Sequence, residues 1–478
     1  MILLALVAVP ALGALGAYVH REEARRTAWL VAAALAHLAL VALVWATRPD
    51  PALGGWIGAE GLGLLVLTVL SVLFAVVAVY TVGYLRHESP RGGRLFVTCL
   101  LAFLGAGSLV ALSQHLGLLW IGMEATTLSV APLIFHRHDR RSLEAVWIYL
   151  VMSSVGIALA LLGTFFMATA QFSAPPSDRP LVVADLMRHA SRLTPAWLKA
   201  AFVFLLAGYG TKMGLAPMHT WKPDTYGEAP PLVGALMAGG LTSLAFLGVA
   251  RATQVVIAAG LAAFAQPVLI AFGLISLALA AAFVLRQTDL KRLLAYSSVE
   301  HMGLLVLGLG LGGVGAYGSA LHVINNALAK GLLFLAVGNV ALATGTSSTA
   351  ETRGLGRALP VSAVLLTVGL FAATGSPPFG PFLSEFMILR AALAGGHTLL
   401  ALVVVSLLVT VFAGMAIRVL RVVHGEPSAE PRRGSDSVWL VAAPLTLAGT
   451  VLVLGSYVPE PLQRVLEQAA ATLGGRAP

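Results

Sequence analysis

The chain has 478 residues, 58 % of them hydrophobic and 11 % charged, with one cysteine and a formal charge of +9. Soluble domains carry roughly 25 % charged residues, so a soluble globular enzyme and a disordered chain are both excluded. A lone thiol, Cys99, also excludes a disulfide-stapled fold, a four-cysteine iron–sulfur site and a Cys-rich zinc site in this chain. What remains is an all-α polytopic membrane protein.

Apolar runs of about 20 residues read as membrane helices. In chain order they fall at 1–19, 27–46, 57–84, 95–112, 115–135, 143–170, 200–218, 230–250, 266–285, 294–311, 315–342, 360–395, 398–417 and 438–458. That gives about 14 crossings. The run 1–19 ends on small residues, as a signal peptide does, but lacks a basic N-terminal region and is read as a span. The run 360–395 is too long for one straight crossing and carries Gly375, Pro377, Pro378, Gly380 and Pro381, so one broken helix is expected there. The loop 171–199, with Pro175, Pro176 and Asp178, is expected to hold a short surface helix near 181–192. The tail after 458 is expected to hold an amphipathic turn around Leu462–Leu466.

Cytoplasmic loops carry an excess of Lys and Arg. One set of alternate loops holds nineteen basic residues, among them Arg91, Lys222, Lys291, Arg432 and Arg433, and the other set with the tail holds eight, among them Arg251 and Arg476. Only Lys212, Lys330 and Arg390 fall inside predicted spans. The bias places both termini outside the cytoplasm, with the chain in the inner (cytoplasmic) membrane. It also assigns the basic balance to topology in a lipid bilayer rather than to nucleic acid.

Two spans look interrupted, at GTKMGLAPMHTW (210–221) and at TGSPPFGPFLSEF (374–386). Proline removes a helical hydrogen bond, and in lipid the freed carbonyls must be buried in protein or face a wet cavity. Ordinary proline kinks are one explanation. Paired interruptions in matching places are also a pointer to a transport site. They lie five spans apart, and an odd-numbered repeat must enter the membrane inverted. The expected division is a three-helix segment over 1–94, then two inverted five-helix repeats, 95–251 broken near 212–217 and 266–421 broken near 375–381. A last helix and short tail occupy 438–478.

A charge at mid-bilayer costs about 2.5–3.5 kcal/mol on insertion scales, so it marks function by default. Glu124, Lys212, Lys330 and Glu385 all lie in apolar spans, in the order acid, amine, amine, acid. A static ion pair explains any one of them; the mirrored order points to a switch. Burial disfavours an ammonium and a neighbouring carboxylate favours it, so moving either one toggles the amine, as a proton pump requires. His322, Asn326 and Lys330 are spaced i, i+4, i+8 and stripe one helix face. Glu300 and His301 are possible extensions of this polar axis, after Tyr296, Ser297 and Ser298. His37, alone among apolar residues, is read as structural, Glu60 and Glu144 as interfacial, and Arg390 as snorkelling to the surface or paired locally. No Walker A loop and no dinucleotide fingerprint occur; GLGLGG at 308–313 reads as a glycine-rich helix end. No catalytic, cofactor-binding or metal-ligating set is expected in the chain itself.

Five segments carry a resemblance: WIGMEATTL (120–128), GYGTKMGLAPMHTWKPDTYGEAP (208–230), DLKRLLAYSSVEHMG (289–303), HVINNALAKGLLFLAVGN (322–339) and PPFGPFLSEFMIL (377–389). Together they span the central two-thirds of the chain. The sequence resembles the proton-translocating antiporter-like family, which includes the large membrane subunits of respiratory complex I, Mrp-type antiporters and subunits of membrane-bound hydrogenases. EATTL, SSVEHMG and PPFGPFLSEF are most similar to the hydrogenase-4 component F type of group 4 hydrogenase complexes.

The resemblance implies that Glu124 modulates a pumping Lys212, that Lys330 is the central relay with His322 beside it, and that Glu385 is the terminal exchange group. It implies a nickel–iron centre and iron–sulfur clusters on partner subunits, other membrane-arm subunits and a peripheral redox module as partners, and protons, or Na⁺, as the moved ion. Two positions depart from the family pattern. Asn326 stands where many relatives have a histidine, and Ala238 where some have His or Lys, a gap that Ser243 or ordered water is a candidate to fill. The lateral helix of one complex I relative is not expected. Two alternatives stand beside the pump: an Mrp-type Na⁺/H⁺ antiporter subunit and a non-pumping membrane scaffold.

Overall fold

The computed structural model describes residues 1–88, 93–173, 178–426 and 436–474. Arg91, Pro175, Pro176, Arg432, Arg433 and Arg476 lie outside them. The protein is an all-α polytopic bundle. Among the described residues twelve helices are long and apolar enough to cross a membrane. They begin with α1 (Ile2–Val19), α2 (Glu23–Thr47), α3 (Gly61–His87), α4 (Gly93–Leu112), α5 (Leu116–Ile134) and α6 (Arg140–Ala170). The short α7 (Val183–Arg188) follows, with a further turn over Ala190–Arg192, at the place expected for a surface helix.

α8 (Pro195–Met213) and α9 (Trp221–Glu228) form the first broken pair. Next come α10 (Pro231–Ala235), a π-helical turn over Leu236–Leu241 and α11 (Thr242–Ala258), which together make one crossing-length rod. Then follow α12 (Ala262–Val284), α13 (Leu290–Leu311), α14 (Gly313–Thr344) and the single turn α15 (Leu355–Ala358). The second broken pair is α16 (Pro360–Ala373) and α17 (Gly380–Ala394), followed by α18 (Thr398–His424), α19 (Val438–Ser456) and α20 (Glu460–Ala471).

The core is central and polar-studded, while the rim is apolar. The most apolar window of the α10–α11 rod is 100 % buried, against 33 % for those of α1, α2, α6 and α18. α1 buries a helical stripe, Leu3, Leu6, Pro10, Gly13, Ala14 and Ala17, and packs on α2 and α4 as an integral helix. In one half α4 packs on α5 and α6 on α8; in the other α12 packs on α13 and α14 on α17. Small residues allow these close approaches: a methyl group added at Gly163 would lie 2.8 Å from the Leu205 backbone nitrogen, and one at Gly273 2.8 Å from the Gly303 carbonyl. The tail differs from expectation. It is a twelve-residue helix, α20, whose buried side Val465, Leu466, Ala469 and Ala470 rests on α3 and α14.

Both breaks follow the same local rule. α8 ends at Gly214, φ 74°, and α16 is followed by Gly375, φ 62°, left-handed conformations that suit glycine. Three residues after each glycine stands a proline, Pro217 and Pro378, each after a cis peptide bond. The freed backbone is paired internally. Leu215 N–H donates to the Gly210 carbonyl at 2.8 Å, Ala216 N–H to Ser276 Oγ at 3.0 Å, and the Trp221 indole to the Thr211 carbonyl at 2.9 Å. In the second break Ser376 N–H donates to the Phe371 carbonyl at 3.0 Å, and the Gly380 carbonyl accepts from Asn325 Nδ2 at 2.7 Å.

Candidate functional site

Lys212 lies in the last turn of α8, where the helix dipole favours a cation, and is fully buried. Its Nζ donates to Thr127 Oγ1 at 2.7 Å, to Tyr149 Oη at 2.8 Å and to Ser153 Oγ at 3.4 Å, so all three ammonium protons have acceptors. Thr127 lies one turn after Glu124 on α5, and its hydroxyl reaches Glu124 Oε2 at 3.3 Å. Acid and amine are therefore joined through a hydroxyl rather than by direct ion pairing. Glu124 is half-buried.

The second half repeats the motif, acid again before amine in the chain, with the hydroxyl now preceding the acid. Lys330 on α14 donates to Ser297 Oγ at 2.5 Å, and Ser297 donates to Glu300 Oε2 at 3.2 Å. Ser297 and Glu300 are again three apart on one helix, α13, and all three side chains are buried. Next to Glu300, His301 Nδ1 faces His322 Nε2 at 2.9 Å, and His322 Nδ1 faces Ser384 Oγ at 2.8 Å. Asn325 Nδ2 also reaches Ser384 Oγ at 3.3 Å, and Glu385 follows it in the chain, buried.

His301, His322 and Glu385 each place a ligand-capable atom within 4.8 Å of the others, a trio that sequence reasoning did not assign to a metal. The two imidazoles engage each other and Ser384 through three of their four ring nitrogens, only the buried His301 Nε2 lacking a partner, and Lys330 already brings an amine to the same cluster. That surrounding suits a shared proton better than a second cation.

Most of the residues singled out in the sequence thus fall into two clusters: Glu124 with Lys212, and Glu300, His301, His322, Lys330 and Glu385. The mirrored pairing of Lys330 with Glu385 is indirect. The hydrogen bonds from Lys330 lead first to Glu300, and Glu385 lies beyond the histidines. Asn326 is buried, but neither its amide nitrogen nor its oxygen has a hydrogen-bond partner; its neighbour Asn325 makes the contacts. Ser243 donates to the Gly239 carbonyl of its own helix at 2.6 Å, and Ala238 lies in the π-helical turn. His37 bridges Ser71 and Ser108 at 2.9 and 2.8 Å, bracing α2, α3 and α4. Glu60, Glu144 and Arg390 are exposed.

Three basic residues placed in loops by the sequence reading are corrected. Lys222, Lys291 and Arg251 are buried, in α9, in the first turn of α13 and within α11. Lys222 falls between the predicted spans 200–218 and 230–250, whereas the chain re-enters the bundle there as α9. Thr127, Tyr149, Ser153 and Ser384 were missed because a hydroxyl in an apolar helix ordinarily bonds its own backbone. The i, i+3 spacing from Glu124 to Thr127 was the signal available.

The family described as NADH:quinone oxidoreductase/Mrp antiporter, TM, matches residues 113–411. The chain belongs to this family. It is 33 % identical over 391 residues to the hydrogenase-4 component F homolog of Methylacidiphilum infernorum, covering 80 % of this chain and 82 % of that one. It is 32 % identical over 401 residues to NADH-quinone oxidoreductase subunit N of Desulforudis audaxviator, covering 80 % and 78 %. Among solved structures, a chain of an archaeal membrane-bound sulfane sulfur reductase superposes with a TM-score of 0.88 at 22 % identity, covering 99 % of this chain and 98 % of that one. A chain of respiratory complex I from Thermus thermophilus gives 0.84 at 22 %, covering 99 % and 100 %. Those two likenesses establish the fold. With the apolar helices, family membership makes this an antiporter-like, multi-pass membrane protein.

Proposed function

We propose that this chain is a proton-translocating subunit in the membrane arm of a redox-driven complex of the hydrogenase-4 kind. The observation that carries the reading is the twice-used unit of a buried lysine joined to a carboxylate through one hydroxyl: Lys212–Thr127–Glu124 and Lys330–Ser297–Glu300. An ammonium buried in apolar surroundings depends on its carboxylate for stability, and that dependence makes it a switch. When the carboxylate takes a proton or moves, the lysine releases its own. The proton passes to a neighbouring hydroxyl, which gives up its hydrogen on the far side.

In this reading a disturbance at Glu124 displaces a proton from Lys212, Lys330 relays it, and His301 and His322 hand it to Glu385. Nickel–iron and iron–sulfur centres belong to partner subunits of a peripheral module, and other membrane-arm subunits flank the chain. The basic bias supports an inner-membrane location with both termini outside the cytoplasm. Removing Lys222 and Lys291 from one loop set and Arg251 from the other leaves seventeen basic residues against seven.

Purification of the intact complex in mild detergent, with metal analysis, tests the partner assignment. Stoichiometric nickel and iron on co-purifying subunits is the expected result; iron without nickel points to another respiratory complex. Vesicle assays test the ion. Na⁺-stimulated proton movement without an electron donor would establish an antiporter subunit instead. Coupled proton movement that survives both Lys212→Ala and Lys330→Ala would leave a scaffold.

A further inference from the structure

Between the two clusters the chain of hydrogen bonds is interrupted. Tyr149 ends the Lys212 cluster and Ser297 begins the Lys330 cluster. The α10–α11 rod supplies nothing between them, because Ala238 has no polar side chain and Thr242 and Ser243 donate to their own helix.

Lys222 stands in this interval. It is fully buried, and its Nζ donates to Ser298 Oγ at 2.9 Å. Ser298 is the chain neighbour of Ser297, which holds Lys330, so two amines approach consecutive residues of α13. On its other side Lys222 follows Trp221, whose ring packs on Tyr149 with centroids 5.4 Å apart. The Lys222 ammonium lies 5.8 Å from the centre of the Tyr226 ring. Tyr226 Oη is itself buried with no hydrogen-bond partner, so a polar group accompanies Lys222 in the interval.

Two further observations separate Lys222 from an accidental burial. The first is charge. No carboxylate lies within ion-pairing distance of Lys222 among the described residues, and the amine nearest it along α13 is that of Lys330, on the adjacent serine. A permanent buried ammonium needs a counter-ion, and two ammonium groups side by side disfavour each other. Lys222 and Lys330 are therefore suited to alternate, one charged while the other is neutral.

The second is space. A methyl group at Gly214 would lie 2.9 Å from Lys222 Nζ and collide with its methylene stem, while one at Gly375 would lie 2.7 Å from Glu385 Cδ. Each break thus opens its left-handed glycine onto a buried ionisable side chain of the helix that follows. Lys222 in the first half occupies the place that Glu385 holds in the second.

We propose that Lys222 is the intermediate proton carrier between the two clusters; this deepens the function proposed above and rests on it. The neutral amine accepts a proton arriving from the Lys212 side to become an ammonium. It then returns a proton to Ser298, whose hydroxyl releases its own hydrogen toward Ser297, and the Ser297 hydroxyl in turn gives its hydrogen to the neutral amine of Lys330 that it faces. One proton enters, one leaves, and Lys222 is restored.

The test uses the intact complex in sealed vesicles, with hydrogen as electron donor, reading protons moved per electron transferred. Lys222→Met removes the amine, Lys222→Arg keeps a charge that does not deprotonate, Ser298→Ala removes the acceptor, and Lys330→Met serves as reference. Lys222→Met and Lys222→Arg are each expected to lower the ratio by about tenfold or more, with electron transfer and assembly retained. Ser298→Ala is expected to lower it by about threefold, the hydroxyl being replaceable by water.

A full ratio in Lys222→Arg would show a charge brace and overturn the proposal. So would a full ratio in Lys222→Met where Lys330→Met abolishes movement, leaving the parent reading intact. A full ratio in both methionine variants would overturn the parent reading and this inference with it. Should Lys222→Met fail to assemble, Lys222→Arg and Ser298→Ala decide the matter.

Discussion

In the first half of the molecule Lys212 meets three hydroxyls, and its acid, Glu124, remains half-buried; in the second, Lys330 meets one hydroxyl, and its acid, Glu300, is sealed. The unit is the same, but the surroundings assign it different work. A half-buried carboxylate is open to a neighbouring subunit or to water, so the first unit is placed to receive a disturbance. A sealed carboxylate exchanges only along its own chain of partners, so the second is placed to relay. The comparison also predicts different tolerance. Lys212 has spare acceptors, whereas Lys330 depends on Ser297.

The largest expected effect follows from that dependence. Lys330→Met should reduce coupled proton movement by about a hundredfold, within the range a positioned proton-transfer group contributes. Lys212→Met should cost less, because Thr127, Tyr149 and Ser153 still line a path. Equal losses, measured as protons per electron in sealed vesicles, would erase the distinction between receiver and relay.

The hydroxyls sharpen the same point. A hydrogen bond to a charged group contributes about 1.5–3 kcal/mol, so Ser297→Ala should slow proton movement by about tenfold or more. Thr127→Val removes the hydroxyl between Lys212 and Glu124 but leaves Lys212 two acceptors and Glu124 its charge, so it should slow movement less, by about threefold. A larger effect from Thr127→Val would reverse the assignment.

The two breaks permit a third comparison, read as stability. Trp221→Phe strips the Thr211 carbonyl of its side-chain donor, and Asn325→Leu strips that of Gly380. The Thr211 carbonyl keeps the Gly214 N–H at 3.1 Å, so the loss there is that of one buried hydrogen bond, about 0.5–1.5 kcal/mol. Asn325 also holds Ser384, so its loss should lower the thermal midpoint of the detergent-solubilised protein further than Trp221→Phe does.

Much of this architecture was legible because lipid enforces it. Runs long enough to cross are helices, and charges within them stand out, so Glu124, Lys212, Lys330 and Glu385 were findable from residue type and position alone. Both breaks were legible from Gly and Pro. What stayed hidden is partnership across helices. The i, i+4, i+8 face of α14 pointed to Asn326, yet the hydrogen bonds went to Asn325, because α17 meets α14 one residue along. Lys222 looked like a loop residue because it falls between the apolar runs 200–218 and 230–250. Only the fold shows the chain turning back inward, with Trp221 covering the Thr211 carbonyl and Lys222 following it into the core.

The smallest expected effect compares two N-caps, one in each half. Asp139 Oδ1 accepts from Ser142 N–H at 2.7 Å to start α6, and Asp289 Oδ1 accepts from Arg292 N–H at 2.9 Å to start α13. Asp289 has a second role, since its other oxygen takes the Ser347 hydroxyl from the loop after α14. Replacing an N-cap aspartate by alanine costs about 1 kcal/mol, so Asp139→Ala should lower the thermal midpoint slightly and Asp289→Ala more. The Asp139 cap also carries a pH signature. The backbone N–H of Ser142 holds this exposed carboxyl below its ordinary value of 3.8. A group depressed in the folded state stabilises it above the unfolded value, and that contribution fades as pH falls through the folded one. The gap between Asp139→Ala and the parent should therefore be full at neutral pH and close progressively below about pH 4. A gap that persists unchanged in acid would mean that the helix start rests on Ser142 and the packing beneath it, not on the charge of Asp139.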